Sequence, residues 1–253
     1  MEIENKVIAI TGAAQGLGLA MATVLASKGA RIALIDFNGD KLDAAVDQCK
    51  AAGGDARAYV ANVADEDNVV KTFDQIAADF GALNGLINNA GVLRDGLMLK
   101  VKDGEIVKKM SVVEWQTVID VNLTGVFLCG REAAERMIKL GCEGVIINIS
   151  SIAKDGNRGQ TNYSAAKAGV AAMAVTWAKE LSGFGIRSMA IAPGFVATDM
   201  VASMKPEARE KMTSGIPQKR MALPEEIGHA CAYIFENDYM NGRVIQIDGG
   251  LRL

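Results

Sequence analysis

Tyr163 and Lys167 are the residues whose types and spacing best suit acid–base chemistry. They stand four apart in an alanine-rich stretch predicted to be a helix, which puts both side chains on one face, one turn apart. A free tyrosine loses its proton near pH ~10, and a neighbouring cation lowers that pKa by favouring the phenolate. Ser150 and Ser151 follow the preceding apolar run, where a hydroxyl can bind a substrate oxygen. Taken alone, a tyrosine–lysine pair of this kind is more often a solvated helix edge than a catalytic pair.

A glycine-rich turn near the start predicts a second property, the binding of a dinucleotide. The short apolar run Lys6–Thr11 is typical of a buried strand, and a helical stretch extends to Lys28 after the turn. Glycines allow a tight turn and let backbone N–H groups approach a pyrophosphate at a helix N-terminus. The turn residues expected at the cofactor are Gly12, Gln15, Gly16, Leu17 and Gly18.

Asp36 ends the predicted second strand, Arg31–Ile35, and supplies the acid that a dinucleotide site needs. Its carboxylate is placed to accept hydrogen bonds from a ribose 2′-OH and to repel a 2′-phosphate. A glycine turn alone is weak evidence, but a turn between a strand and a helix, with an acid about 20 residues on, favours cofactor binding. The acid predicts NAD(H) in preference to NADP(H).

Strands and helices are predicted to alternate along the whole chain. Predicted helices cover Lys41–Lys50, Glu66–Phe80, Val112–Lys139, Ser164–Leu181 and Pro224–Phe235, and predicted strands cover Ala56–Ala61, Leu83–Ile87, Val145–Ile149, Ile186–Ala192 and Gly242–Ile247. This rhythm predicts one α/β domain over residues 1–253, a doubly wound Rossmann-type parallel sheet of about seven strands with helices on both faces. Asn62 and Val63 end the third strand, where the Asn62 amide can meet an adenine edge. The stretch Asn88–Gly91 ends the fourth, although these residues also suit an ordinary turn.

Composition restricts the possible classes of function. The 253 residues are 50% hydrophobic with a formal net charge of -3. This composition shows no excess of positive charge of the kind that binds nucleic acid or an anionic membrane. The four cysteines lack pairing or metal-ligand spacing, so reduced thiols and no metal are expected. No signal peptide and no apolar run of the ~18 residues of a membrane span are seen, which predicts a cytoplasmic protein.

Together these motifs resemble those of the short-chain dehydrogenase/reductase family over nearly the whole chain. The matches are the glycine spacing, Asn88-Asn89-Ala90-Gly91, the serine–tyrosine–lysine set and Pro193-Gly194. The resemblance implies that Tyr163 exchanges a proton with the substrate oxygen and that a serine holds this oxygen. It implies that Lys167 binds the nicotinamide ribose and lowers the tyrosine pKa, and that Asn122 holds a water relaying protons to Lys167. Donors aimed at a charge-bearing oxygen suit hydride transfer, for which the cofactor supplies the hydride.

The resemblance also extends the list of cofactor contacts. It implies contacts at Asn89, Ala90, Gly91, Tyr163, Lys167, Pro193, Gly194, Val196 and Thr198. Members that use NADPH tend to carry a basic residue in the glycine turn or just past the second strand. This chain has Gln15 and Phe37 there, which again predicts NAD(H).

Two serines compete for the catalytic position. Ser150 lies thirteen residues before Tyr163, the usual interval in the family, whereas Ser151 is the third residue after Asn148, the place of the reactive serine in similar sequences. We favour Ser151 because a strand end is more rigid than a loop, and Ser150 remains the alternative.

The substrate side most resembles that of 3-oxoacyl-[acyl-carrier-protein] reductases, on Leu93-Arg94-Asp95, Gly159–Tyr163 and Pro193–Met200. This implies a 3-oxoacyl thioester substrate, an acyl-carrier protein partner and fatty acid biosynthesis. The arginines that attract an acidic carrier are missing at Lys139–Gly141 and Ser182–Phe184. An alternative is therefore an NAD-dependent dehydrogenase of small alcohols, ketones or hydroxysteroids, and a remote one is a non-catalytic NAD-binding scaffold.

Three further segments have expected roles. About nine extra residues, roughly Gly104–Ser111, predict a turn or hairpin beside the active-site mouth. Residues 199–222 are expected to form a substrate lid, and the alanine-rich helix is expected to pair into a homodimer or homotetramer, as the resemblance implies. The single histidine, His229, is expected to be structural.

Overall fold

The computed structural model describes residues 1–198 and 206–253, and a seven-stranded parallel sheet is its centre. Its strands run in the order β3-β2-β1-β4-β7-β8-β9. Their bounds are β1 Val7–Thr11, β2 Arg31–Asp36, β3 Asp55–Val60, β4 Gly85–Asn88, β7 Gly144–Ile149, β8 Ile186–Pro193 and β9 Val244–Ile247. The chain order reverses at β1, which pairs with both β2 and β4, and ligands bind at such a switch point in doubly wound sheets. The predicted fold class is confirmed.

Helices cover both faces of the sheet. They are α1 Gly16–Ala26, α2 Leu42–Ala51, α3 Glu66–Phe80, α4 Val112–Ile119, α5 Gly125–Lys139, α6 Thr161–Leu181, α7 Pro206–Ser214 and α8 Pro224–Glu236. Side chains alternate along β1, so Ile8 and Ile10 pack in a core with α1, α2 and α8, whereas Val7 and Ala9 pack in a core with α3 and α5. Both faces of the strands are thereby buried, as their continuous apolar sequences require.

The stretch predicted as one long helix, Val112–Lys139, is helical throughout but changes its winding. A π-helical turn, Asp120–Thr124, separates α4 from α5. By length and composition alone this stretch is long and apolar enough to cross a membrane, although polar and charged residues interrupt it before any apolar run reaches about 18 residues. A core helix passes the same test, and this one packs against α3 and carries the buried ion pair Glu132–Arg136.

The extra segment is a β-hairpin that begins earlier than expected. Strands β5 Leu99–Lys102 and β6 Glu105–Lys109 pair antiparallel across the two-residue turn Asp103-Gly104. Both turn residues have positive φ, 52° and 83°, which is the geometry that Asp-Gly favours in two-residue hairpins. The hairpin ends where Ser111 caps α4 in a capping box with Glu114.

The segment expected to form the lid is only partly described. Residues 199–205 lie outside the described residues, and α7 and the following turn account for much of the rest. Ile216 after α7 is buried against Ile152 and Leu251, with Phe195 and Met221 beside them. The end of this segment is thus anchored to the loop that follows Ser151.

Candidate active site

The glycine turn after β1 is shaped by close contacts that exclude side chains. Gly12 and Gly16 have φ of 66° and 57°, a conformation that favours glycine. A Cβ on Gly18 would lie 2.0 Å from the Gly12 carbonyl oxygen. Asn89 Nδ2 donates to the carbonyls of Thr11 and Gly12, at 3.0 and 3.1 Å, so the turn is fixed to the end of β4.

The first turn of α1 carries no side-chain cap. The side chain of its N-cap residue, Gln15, makes no capping hydrogen bond to the helix backbone, whereas Asp65 and Ser111 cap α3 and α4. A Cβ added to Gly16 would meet nothing within 4 Å, so the turn is open toward the cleft. Open N–H groups at a helix N-terminus fit an anionic pyrophosphate.

Asp36 lies at the end of β2 and is held by the backbone. Its carboxylate accepts from the amide of Ala14 and from the amide of Asn38, each at 2.9 Å. Two amides occupy only part of the acceptor capacity of a carboxylate, and the rest suits a ribose diol. Lys41 Nζ donates to Gln15 Oε1 at 2.5 Å, so one ammonium group stands at this end of the cleft. The positions considered from the sequence, Gln15 and Phe37, are not basic, and the cation comes from Lys41.

The predicted cofactor residues meet in one cleft of about 860 Å³. Its wall includes nearly all those predicted from the first half of the chain, together with Thr198: Gly12, Gln15, Gly16, Leu17, Asp36, Phe37, Asn62, Val63, Asn89, Ala90 and Gly91. Gly18 is absent from this lining because it is buried against Gly12. The Asn62 side-chain oxygen accepts from the amide of Ala64, which leaves its NH₂ group to meet a base.

A second compartment of about 520 Å³ adjoins the cleft and contains the predicted catalytic side chains. Ser150, Ser151, Tyr163 and Lys167 line it, with Pro193, Gly194, Val196 and Thr198 from the end of β8 and the loop after it. The two compartments share Leu17, Asn89, Gly91, Val92 and Thr198. Tyrosine and lysine therefore lie beside the cleft and not on a solvated helix edge.

The two serines differ in what they bind. Ser150 is buried, and its hydroxyl donates to the Lys167 carbonyl at 2.7 Å. Ser151 accepts from the amide of Ala153 at 3.1 Å and shares a hydrogen bond with the Tyr163 phenol. Ser151 is thus the serine beside the tyrosine hydroxyl, whereas Ser150 ties the strand to helix α6.

Burial sets the pKa values of the tyrosine and the lysine. Loss of solvation raises the pKa of Tyr163, the hydrogen bond from Ser151 lowers it, and the charge of Asp95 raises it slightly. Burial also lowers the pKa of Lys167 to about 8. The Lys167 ammonium donates to the Ile149 carbonyl at 2.7 Å and lies 5.5 Å from the centre of the Tyr163 ring. Burial is the largest influence on the phenol, so the pKa of Tyr163 is raised and not lowered as expected.

Asn122 occupies the π-helical turn but faces the loop after β4. Its Oδ1 accepts from the Val92 amide at 2.8 Å, and its Nδ2 donates to the Val92 carbonyl at 3.0 Å. The side chain is fully buried and lines neither compartment. Asn122 therefore clamps Val92, a wall residue of both compartments.

Two residues that hold the site were not predicted. Thr11 Oγ1 accepts from the amides of Asn89 and Ala90, both at 3.0 Å. Asn162 is fully buried, and its Nδ2 donates to the carbonyls of Arg94 and Glu114, which fixes the start of α6 beside Tyr163. The only sequence signal for either is a polar residue at a position where burial is expected.

Comparisons with known proteins agree with this architecture. A family model described as enoyl-(acyl carrier protein) reductase matches residues 12–252. The 3-oxoacyl-[acyl-carrier-protein] reductase FabG of Thermotoga maritima is 40% identical, over 99% of each chain. A protein of the same name from Staphylococcus aureus is 38% identical over 96% of each chain. A solved structure, a short-chain type dehydrogenase/reductase from Mycobacterium marinum, is similar with a TM-score of 0.89 and 30% identity, covering 98% of this chain and 96% of that one.

Proposed function

The chain belongs to the short-chain dehydrogenase/reductase family of oxidoreductases, and we propose from this that it reduces the keto group of a 3-oxoacyl thioester. One observation carries the proposal. Ser151 and Tyr163 are hydrogen-bonded neighbours in a compartment that opens onto a dinucleotide cleft. Two hydroxyl donors side by side suit a single oxygen on which negative charge develops.

The roles of the two hydroxyls follow from their environments. Because burial raises the pKa of Tyr163, the phenol is protonated at neutral pH, and it donates its proton to the substrate carbonyl oxygen. Ser151 holds the same oxygen through its hydroxyl, and its hydrogen bond moderates the pKa of the phenol. A tyrosine that carries its proton at rest is in the state that reduction of a ketone requires.

The cleft fits a nicotinamide dinucleotide, which supplies the hydride when it is bound. The uncapped first turn of α1 would hold the pyrophosphate, and Asp36 would hold the adenosine ribose. Lys167, with its ammonium in the second compartment, would hold the nicotinamide ribose. The negative charge of Asp36 supports NAD(H) over NADP(H). Lys41, bonded to Gln15, opposes this preference but does not reverse it, because the carboxylate lies in the cleft wall itself.

Asn122 has a positioning role in this scheme. By binding both backbone groups of Val92 it fixes the wall that the cofactor and the substrate share. A π-helical turn at this point displaces Asn122 toward that loop, and such turns are frequent at functional sites. We propose this clamp for the side chain, and we keep the proposal that Asn122 holds a water relaying protons to Lys167.

A thioester of an acyl-carrier protein is the proposed physiological substrate, since relatives of this length carry that name. The apolar wall residues Leu93, Phe195 and Ile149 suit an acyl chain. The segment 199–222 is proposed as the lid over it. We further propose a homodimer or homotetramer that acts in the cytoplasm.

A screen of NADH oxidation tests the function. Acetoacetyl thioesters should be reduced, and crotonyl thioesters, which present a C=C bond, should not. Tyr163→Phe should lower turnover about a hundredfold or more, because a positioned proton donor contributes 10²–10⁴-fold, while NADH still binds. Unchanged turnover in the Tyr163→Phe variant would remove the proposed mechanism.

A dehydrogenase of small alcohols or ketones is the second candidate. It is favoured by one observation: the stretches that end α5 and α6, Lys139–Gly141 and Ser182–Phe184, contain no arginine. Arg136 in the last turn of α5 is buried in ion pairs with Glu132 and Asp74, and Lys139 is paired with Glu135 at 2.5 Å. If small ketones are reduced and both carrier-linked and coenzyme A-linked acetoacetyl groups are not, this candidate replaces the acyl reductase.

A further inference from the structure

The hairpin Leu99–Lys109 is an unusual surface because every residue of both its strands is exposed. Val101 pairs with Ile106, so one side carries apolar groups, including Leu99, that are 42% to 58% exposed. The other side carries Lys100 and Lys102, since side chains alternate along a strand. A two-stranded hairpin with both faces in water is marginally stable alone, which favours a partner that covers it.

The hairpin is rooted at the mouth of the catalytic compartment. The chain leaves that compartment at Leu93 and Arg94 and enters the hairpin after Gly96, whose amide donates to the Gly159 carbonyl at 2.8 Å. Asp95 accepts from Gln160 at 2.9 Å, three residues before Tyr163. A partner seated on the hairpin is therefore close to the entrance through which an acyl chain must pass.

The charge of the hairpin selects the partner. It carries four lysines and two acids in a chain whose net charge is -3. Lys108 is neutralised by Glu114 at 2.7 Å, while Lys100, Lys102 and Lys109 form no ion pair within the described residues. Unpaired cations beside apolar groups complement a carboxylate-rich surface that also offers apolar contacts.

We propose that the hairpin is the docking surface for an acidic carrier protein that delivers the thioester substrate. This inference rests on the proposed function and supplies cations in place of the arginines that are missing at Lys139–Gly141 and Ser182–Phe184. A lipid surface fits less well, because the hairpin tip carries Asp103 and Glu105 and would present acids to an anionic membrane first. A two-fold contact between copies would bring like charges together.

The test compares one acyl group on two carriers. The substrates are a 3-oxoacyl group on an acidic acyl-carrier protein and the same group on N-acetylcysteamine, which is small and uncharged. The variant is Lys100→Glu with Lys102→Glu. Its matched control is Lys50→Glu with Lys71→Glu, which makes the same charge change at exposed positions on α2 and α3.

The hairpin variant should lose about tenfold or more in kcat/KM for the carrier-linked substrate, because steering by complementary charge changes association rates by 10–10³-fold. Its kcat/KM for the N-acetylcysteamine thioester should match that of the wild type. The charge-conserving variant Lys100→Arg with Lys102→Arg should keep the wild-type kcat/KM for the carrier-linked substrate. The control variant Lys50→Glu with Lys71→Glu should also keep it.

Measurements on the hairpin variant can overturn the docking surface in three ways. They are an equal loss on both thioesters, no loss on either, and a change in the mass of the assembly that assigns the hairpin to a contact between copies. Binding of the wild type to anionic phospholipid vesicles without any effect on carrier-linked turnover would also overturn it. If the wild type reduces neither thioester, the proposed function itself fails, which is a distinct outcome from failure of the hairpin.

Discussion

Ser151→Ala and Ser150→Ala form a matched pair that separates catalysis from structure. Both changes remove one hydroxyl from adjacent residues. Ser151 shares a hydrogen bond with the Tyr163 phenol, whereas the hydroxyl of Ser150 is buried against the Lys167 carbonyl at 2.7 Å. We therefore expect the loss of Ser151 to appear in turnover and the loss of Ser150 to appear in stability.

The expected magnitudes differ in kind. Removal of one preorganised donor to a developing oxyanion costs about 10²–10³ in kcat, and this is the expectation for Ser151→Ala. Loss of one buried hydrogen bond costs about 1 kcal/mol, so Ser150→Ala should lower Tm by about 2–4 °C for a chain of this size. The kcat of Ser150→Ala should stay within a few-fold of the wild type.

The pH profile adds a signature that a merely structural role would not give. The hydrogen bond from Ser151 lowers the pKa of Tyr163, so its removal raises that pKa further. Reduction needs the protonated phenol, so the rate falls at alkaline pH as the phenol loses its proton. This alkaline limb of the pH–rate profile should move to higher pH in Ser151→Ala and stay in place in Ser150→Ala. Steady-state NADH oxidation from pH 6 to 10.5 and thermal unfolding measure both effects. This assignment would be refuted if Ser150→Ala lost kcat while keeping the Tm of the wild type, and Ser151→Ala kept its kcat.

Three other predictions follow from the same site. Asp36→Asn should lower the ratio of kcat/KM for NADH over NADPH about tenfold, since it removes the charge that repels a 2′-phosphate, and Lys41→Ala should raise that ratio; unchanged ratios in both would exclude these groups from cofactor choice. In the ligand-free protein, burial lowers the pKa of Lys167 from 10.5 to about 8. Between these pH values the unfolded chain therefore binds more protons than the folded protein, so the free energy of unfolding of the wild type, relative to that of Lys167→Met, should rise from pH 8 to 10.5. Urea titrations at pH 8 and pH 10.5 check the sign. Asn122→Ala removes both hydrogen bonds to Val92. It should lower kcat/KM for the dinucleotide and for the thioester, and it should lower the free energy of unfolding by about 1–3 kcal/mol. A variant that loses stability but keeps both kcat/KM values would exclude the positioning role.

Much of the architecture is readable from periodic sequence signals. The bounds of α3 and the strand ends at Thr11 and Asp36 follow from apolar runs punctuated by glycine and acidic residues. The hairpin start was placed too late because the excess length was counted from Gly104. The Asp103-Gly104 pair, flanked by alternating apolar and charged residues, is the local signal for the turn.

The π-helical turn and the pKa of Tyr163 are less accessible to sequence reasoning. A helix that changes from α to π winding keeps its apolar periodicity, so nothing in Asp120–Thr124 distinguishes it. A neighbouring lysine predicts a lower tyrosine pKa, but the competing effect is desolvation, which depends on everything packed around the phenol. The contact between Asn122 and Val92 was not predicted, because the two residues lie thirty positions apart in the chain.

The wall shared by the two compartments links the energetics of the two ligands. Leu17, Asn89, Gly91, Val92 and Thr198 each face both spaces, so a ligand that reorders this wall on one side changes what the other side offers. Thermodynamic linkage requires the effect to be reciprocal: if dinucleotide tightens the binding of the thioester by some factor, the thioester tightens the binding of dinucleotide by the same factor. Calorimetric titration of each ligand in the absence and presence of an unreactive analogue of the other would give two coupling constants, and these must be equal.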